Sequence, residues 1–203
     1  MAPDGPPDAE KRETLRQFAT VGAVGPIAAA NRVAEVEPES ERRTAVLDHV
    51  ERTPGIHFSK LRDDLDLGTG ETQYHLRRLE SAGTVESHTD GDYRRLFVAG
   101  VFSEADRRLL SALRRRRHGQ ILIETLRAPG IAAGDLADVL DVSTPAISRA
   151  AGDLEAQGLL DRDNGQYRVR TPESVVNLVA RYEDSFDERT VSAVFAAIDS
   201  QSG

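Results

Sequence analysis

The stretch PGIHFSKLRDDLDLGTGETQYHLRRLESAGTVES, which begins at Pro54, lies without a gap on PGIAAGDLADVLDVSTPAISRAAGDLEAQGLLDR, which begins at Pro129. Identities fall at Pro54/Pro129, Gly55/Gly130, Ile56/Ile131, Leu61/Leu136, Leu65/Leu140, Asp66/Asp141, Leu79/Leu154, Glu80/Glu155 and Gly83/Gly158. Leu67/Val142 and Thr72/Ile147 are conservative matches between them. An ungapped match that keeps the apolar positions is the mark of a duplicated domain. It restricts the 203 residues to two small, similar domains, where length alone would also allow one large one.

Each copy reads in the same order. A helix with Val46, Leu47 and Val50, or Ile121, Leu122, Thr125 and Leu126, precedes the Pro-Gly turn. A short helix follows with Leu61 and Leu65, or Leu136 and Leu140, and then a tight turn at Asp66-Leu67-Gly68 or Asp141-Val142-Ser143. The third helix starts at Ser143 as N-cap in the second copy, with Pro145 harmless in its first turn. Gly68 takes that place in the first copy, and Glu71 stands where a capping-box acid would. On this helix Thr72, Leu76 and Leu79 share the apolar face, and Gly83 supplies the stop. Beyond it lie two strand-like runs around Asp90-Gly91, and in the second copy around Asn164-Gly165, both strong hairpin signals. Three helices and a hairpin are the elements of a winged helix. The expected fold is mainly α with small β wings: two tandem winged-helix domains plus C-terminal dimerisation helices.

Turning Thr72, Leu76 and Leu79 inward leaves Gln73, Tyr74, Arg77 and Arg78 facing elsewhere. An α-helix fits the major groove of DNA, where glutamine pairs with adenine and arginine with guanine through two hydrogen bonds each. Gln73 and Arg77, four apart, are the expected base readers; Tyr74 and Arg78 sit a step round the helix, toward phosphates or a thymine methyl. Thr69 in the first turn offers a phosphate its hydroxyl and backbone N–H. Arg94 and Arg95 follow the first hairpin turn, where a wing reaches flanking phosphates, and alternation along a strand allows only one of them that contact. In the second copy Ser148 and Arg149 are the corresponding candidates, but Gly152 offers no side chain and Asp153 repels phosphate. The run Arg114 to Arg117, read as continuous helix, faces four directions and forms no single patch.

The run PGIHFSKLRDDLDLGTGETQYHLRRLESAG resembles the helix-turn-helix of archaeal winged-helix transcriptional regulators, and LRRRRHGQILIETLRAPG…LDVSTPAISRAAGDLEAQGLL is similar to a second, MarR- or ArsR-like copy. The resemblance covers about residues 41–171 and implies a DNA-binding regulator that acts as a homodimer on a palindromic operator. Gly152 and Asp153 depart from the basic residues that Arg77 and Arg78 present in the first copy.

Composition agrees with that expectation. The formal charge is -8, and of 26 basic residues only Lys11 and Lys60 are lysine, usage similar to that of proteins from salt-loving archaea. A negative total does not exclude nucleic acid, because the local distribution decides binding. The chain has no cysteine, which removes disulfides, thiolate nucleophiles and cysteine-based zinc sites and fits a cytoplasmic address. His49, His57, His75 and His88 have no ligand spacing, and neither a phosphate loop nor a nucleophile elbow is present. No catalytic residue, metal or cofactor is expected, and Asp63-Asp64 reads as a solvated pair.

The expected organisation is an N-terminal arm, partly helical or flexible, over residues 1–40, and a first winged helix over 41–102. A linking helix and the second winged helix take 103–171, and C-terminal helices take 172–203. The arm has the outline of an export signal, but its apolar run is short and broken by Gly22, Gly25 and Pro26, so packing on a domain or partner is preferred to a membrane role. The linking helix opens on Ser103 with Asp106 three on, a capping-box pattern. The C-terminal segment carries apolar Val175, Val176, Leu178, Val179, Tyr182, Phe186, Val191, Val194, Phe195 and Ile198, a surplus read as a homodimer interface. The competing function is a tandem winged-helix protein-interaction adaptor without specific DNA binding. A small-molecule pocket between the copies is compatible with either and has no motif of its own.

Overall fold

The structure, a computed structural model, describes residues 41–201, with side chains as far as Ala197. The expected N-terminal arm lies outside the described residues. In chain order the elements are α1 (Glu41–Arg52), β1 (Ile56–His57), α2 (Phe58–Asp64), α3 (Thr69–Ser81), β2 (Val85–Asp90), β3 (Tyr93–Val98), α4 (Glu104–Arg114), α5 (Arg116–Arg127), β4 (Ile131–Ala132), α6 (Ala133–Leu140), α7 (Thr144–Ala156), β5 (Leu160–Asp163), β6 (Gln166–Val169), α8 (Pro172–Arg181), a 3-10 turn (Glu183–Ser185) and α9 (Glu188–Gln201). The described residues form two compact units, and the chain passes from one to the other between Ser111 and Ala112, within α4. Each unit holds one copy of the repeat. No described helix is long and apolar enough to cross a membrane.

In the first unit α1, α2 and α3 close on a hairpin. Val46, Leu47, Val50, Ile56, Leu61, Leu76, Leu79, Val85 and Leu96 form one buried cluster. Burying a side chain of this size contributes about 1.5–3 kcal/mol. The same cluster positions α3, because Thr72, Leu76 and Leu79 are all buried and its other flank must therefore face away. The buried Thr72 hydroxyl is satisfied by donating to Gly68 O at 2.9 Å.

The helix-turn-helix geometry is the same in both copies. Asp66 and Asp141 sit at φ 49° and 51°, left-handed positions that aspartate tolerates better than most residues. In each the next amide reaches back, Leu67 N to Arg62 O and Val142 N to Ala137 O, both at 3.0 Å. Gly68 and Ser143 are the N-caps of α3 and α7, and neither makes a side-chain cap bond. Glu71 is occupied with Arg42, 2.7 Å away, rather than with a capping box. Gly83 follows the C-cap of α3 at φ +68° and ends it.

The hairpins are wider than two strands. A two-residue strand joins each, giving the orders β1-β3-β2 and β4-β6-β5. So short a strand carries no alternation, and the sequence does not announce it. The turns also differ. Asn164 and Gly165 form a two-residue loop with both φ positive, as a type I′ turn requires. In the first copy Asp90 pairs with Tyr93, so the loop is Gly91-Asp92, one residue later than the dipeptide signal placed it. There only Gly91 has positive φ, the pattern of a type II′ turn.

At the start of α4, still in the first unit, the capping box is complete: Asp106 N donates to Ser103 Oγ, while Ser103 N and Oγ donate to Asp106 Oδ2. The arginine run is not one helix. It breaks at Arg115 (φ -88°, ψ 114°), the N-cap of α5. A Cβ on Gly119 would stand 2.6 Å from Leu113 O, so glycine permits the close approach of the two segments. Arg114 donates to Ser185 O and, at 2.6 Å, to Ser185 Oγ, with its guanidinium 4.0 Å from the centre of the Phe186 ring.

The C-terminal helices pack within the second unit, α9 on α5 and α8 on α9. Val175, Leu178, Val179, Val191, Val194 and Phe195 are thereby buried. The apolar surplus that suggested a dimer interface is largely consumed by the chain's own packing. Ile198 lies outside the described side chains.

Candidate nucleic-acid interface

On α3 the polar flank is open to solvent. Gln73, Tyr74, Arg77 and Arg78 are all exposed, Tyr74 to 51%. They are paired along the helix at i, i+4 spacing. Arg77 Nη2 donates to Gln73 Oε1 at 3.3 Å, and the Arg78 guanidinium lies 5.8 Å from the Tyr74 ring centre. The spacing that brings side chains together on one helix face thus pre-arranges each pair. Thr69 is exposed in the first turn, beside the N-terminal amides. His75, by contrast, faces inward and is 5% exposed.

The acids of α3 are held by arginines. Glu71 accepts from Arg42, and Glu80 contacts Arg94 of the wing. Burial pushes the Glu80 carboxyl up, but hydrogen bonds from Arg94 and Ser87 outweigh it and hold the group below the usual carboxylate range. The helix therefore offers Arg77 and Arg78 on a face whose own carboxylates are engaged.

The two wing arginines part ways. Neighbouring strand residues point to opposite faces of the hairpin. Arg94, paired with Thr89 across the ladder, shares its face with Ser87 and remains partly exposed, its side chain at 42%. Arg95 is 1% exposed. Its Nε donates to Asp90 Oδ2 and its Nη1 to Gly55 O, both at 3.2 Å, and it lies 5.0 Å from the centre of the Tyr93 ring. Arg95 is therefore an interior residue that ties the hairpin tip to the Pro-Gly turn, and it is withdrawn from the surface expected of it.

His57 completes that corner. As N-cap of α2 its Nδ1 accepts from Lys60 N at 3.2 Å, and its ring stands 5.3 Å from Tyr93. Burial, then the nearby Arg95 and Lys60 charges, pushes its pKa below the ordinary histidine value. Asp63 and Asp64 are not a bare solvated pair: Asp63 bonds Arg62, and Asp64 bonds Lys60 and His49.

In the second unit Ser148 and Arg149 are exposed on α7. Asp153 lies 3.5 Å from His118 of α5. The helix before the turn, α6, has Asp135 and Asp138 and no basic residue. The structure thus places Thr69, Gln73, Tyr74, Arg77, Arg78 and Arg94 in one unit's surface, with Ser148 and Arg149 in the other. Glu80 and Ser87, which fasten Arg94, were not singled out in the sequence. The one signal for Glu80 is its place three residues beyond Arg77, on the flank already assigned to binding.

Comparison with known proteins decides the kind of domain. Residues 40–110 match a family described as an N-terminal HTH domain, and residues 114–166 match the MarR family. The chain carries these two domains in tandem. Both families are those of transcription regulators. Among solved structures, Streptococcus pneumoniae FabT in complex with DNA is 16% identical, over 72% of this chain and 98% of that one, at a TM-score of 0.31. At that score no residue is carried from one to the other. No curated protein matches the chain.

Proposed function

We propose that the protein is a transcription regulator that binds double-stranded DNA in a sequence-specific manner through its first copy. In this reading α3 lies in the major groove, Gln73 and Arg77 read base edges, and Tyr74, Arg78 and Thr69 meet backbone or methyl groups. Arg94 is the wing residue for a flanking phosphate. The observation that carries the reading is the exposed polar flank of α3, whose two acids are both engaged by arginines. The second copy makes auxiliary contacts through Ser148 and Arg149, since the carboxylates of α6 and Asp153 oppose a phosphate backbone. Such a protein works in the cytoplasm on chromosomal DNA, and a two-fold operator calls for a homodimer. The acid-rich, lysine-poor composition supports work in concentrated salt, where the counterion term shrinks and base contacts matter more.

The test is retention of genomic fragments by the full chain, followed by titration of a retained site at several salt concentrations. Replacing Gln73 and Arg77 together by alanine removes discrimination, at about 1–3 kcal/mol for each bidentate pair lost. The circular dichroism spectrum stays unchanged, because both side chains lie outside the core. Wild-type protein that retains no duplex at any salt concentration overturns the reading in favour of the protein-interaction adaptor. Sedimentation of the same preparation checks the dimer.

A further inference from the structure

Resting on that reading, we propose that Glu80 is a positioning residue which holds Arg94 away from phosphate, so that the wing engages only duplexes able to displace it. The three groups involved form a closed network. Arg94 Nη2 contacts Glu80 Oε1, Arg94 Nε donates to Ser87 Oγ at 3.1 Å, and Ser87 Oγ donates to Glu80 Oε1 at 2.5 Å. Glu80 is in the last turn of α3, Ser87 on β2 and Arg94 on β3, so the network fastens the wing to the helix it flanks.

The carboxylate stands three residues beyond Arg77, the spacing of neighbours on one helix face. A carboxylate there opposes DNA unless a cation neutralises it, and Arg94 does so in the free protein. When a phosphate draws Arg94 away, that charge is uncovered, so engagement of the wing carries a built-in penalty. A hollow of about 260 Å³ beside Arg94 is lined by Ser87, Thr89, Gly91, Asp92 and Tyr93 and gives the phosphate a seat. The Thr89 hydroxyl favours an anion there, the Ser87 proton being given to Glu80, and Asp92 opposes one. The penalty itself is the same for every sequence, but a duplex held in register by the base contacts of α3 keeps a phosphate beside Arg94 and can meet it, while a loosely held duplex leaves the wing fastened.

The second copy keeps the acid but not the network: Arg162 stands where the first copy has Ser87, and its guanidinium lies 5.5 Å from the centre of the Tyr167 ring and makes no ion pair with Glu155. Glu155 aligns with Glu80, but the β5–β6 loop closes at Asn164-Gly165 before any counterpart of Arg94 is reached. Among the described residues Glu155 makes no ion pair. This agrees with a second helix that does not enter the groove.

The test compares wild type, Glu80→Gln, Arg94→Gln and the double variant on a duplex of random sequence and on a retained genomic site. Glu80→Gln tightens binding to the random duplex several-fold and narrows the ratio between the two sites. It also steepens the dependence of log K on log salt by about 0.9, the value of one further phosphate contact. The double variant returns to the behaviour of Arg94→Gln, because the gain passes through that guanidinium. Wild type that binds while Glu80→Gln leaves the salt slope unchanged, or weakens both duplexes, overturns the role of Glu80 alone. Wild type that binds neither duplex overturns the DNA-binding reading and this inference with it.

Discussion

The two copies share the backbone conformation and hydrogen bonds of the turn in the helix-turn-helix and differ at the hairpin that follows. Ile56 pairs with Leu96 and Ile131 with Tyr167, which aligns the ladders. Between the aligned pairs His88/Arg95 and Asp163/Gln166, the first copy has Thr89, Asp90, Gly91, Asp92, Tyr93 and Arg94, while the second has only Asn164 and Gly165. Those extra residues supply Asp90 and Tyr93 for the buried arginine and Arg94 for the exposed one. A longer wing therefore needs an internal fastening, which Arg95 provides, and gains a cation on its outer face. The short wing needs neither, and exposed Gln166 stands where Arg95 is buried. The lesson is that one duplicated framework can carry differently fastened third helices, according to what the hairpin brings beside each.

The comparison breaks most severely at Asp90. Asp90→Ala leaves Arg95 buried without its carboxylate, and removing one partner of such a pair costs about 3–5 kcal/mol. Urea unfolding followed by probes in each unit should show the first unit destabilised and the second unmoved. Equal loss in both would mean that the fastening is not local to the long wing.

Gly119 sharpens the contrast from the other side, because the aligned residue of the first copy is Thr44. Gly119→Ala puts a methyl 2.6 Å from Leu113 O, a backbone atom with little room to yield. Forced overpacking of that kind costs about 1–3 kcal/mol, here from the second unit. An unchanged thermal midpoint would refute the close approach.

A smaller effect of opposite sign is expected in the core of the second unit. Thr125 and Tyr167 stand where the first copy has Val50 and Leu96, and the hydroxyls of both are buried without a hydrogen-bond partner. Removing an unsatisfied buried hydroxyl returns part of its desolvation penalty of about 1–3 kcal/mol. Thr125→Val and Tyr167→Phe should each leave the second unit as stable or more so, measured by its urea midpoint. Loss of stability would reveal a partner for the hydroxyl.

The smallest effect is a pH dependence contributed by His57 in the first unit. His57 has a lowered pKa in the folded state, so the unfolded chain binds more protons below the ordinary value near 6.5. Stability is complete above that value and declines as pH falls through it toward the folded pKa. The second copy has Ala132 at this cap and lacks this contribution. Stability measured from pH 7.5 down to 5 should show the decline, and His57→Ala should flatten it.

Much of this was legible before any coordinates. The duplication, the buried faces of α1, α3, α5 and α7, the capping box at Ser103 and the Asn164-Gly165 turn all follow from local rules. Each depends on residues a few positions apart, so spacing alone carries them. The exposed set on α3 was legible for the same reason, as the complement of Thr72, Leu76 and Leu79. The loop at Gly91-Asp92 was misplaced by one residue because register is a property of two strands together. The break at Arg115 escaped notice because it depends on the contact of Gly119 with Leu113, where the arginine-rich string reads as unbroken helix.

The chain's spacing by itself determined that there are two winged helices and which side of each third helix faces out, because helical and strand periods are written into consecutive residues. Only the tertiary structure decided which wing arginine is a surface cation and which is a core residue, that Glu80 and Ser87 close on the former, and that the apolar C-terminal stripe is covered by α5. Those outcomes turn on partners in other elements, 14 residues away for Glu80 and Arg94 and 40 for Gly55 and Arg95, and on which charges lose their water when the chain closes.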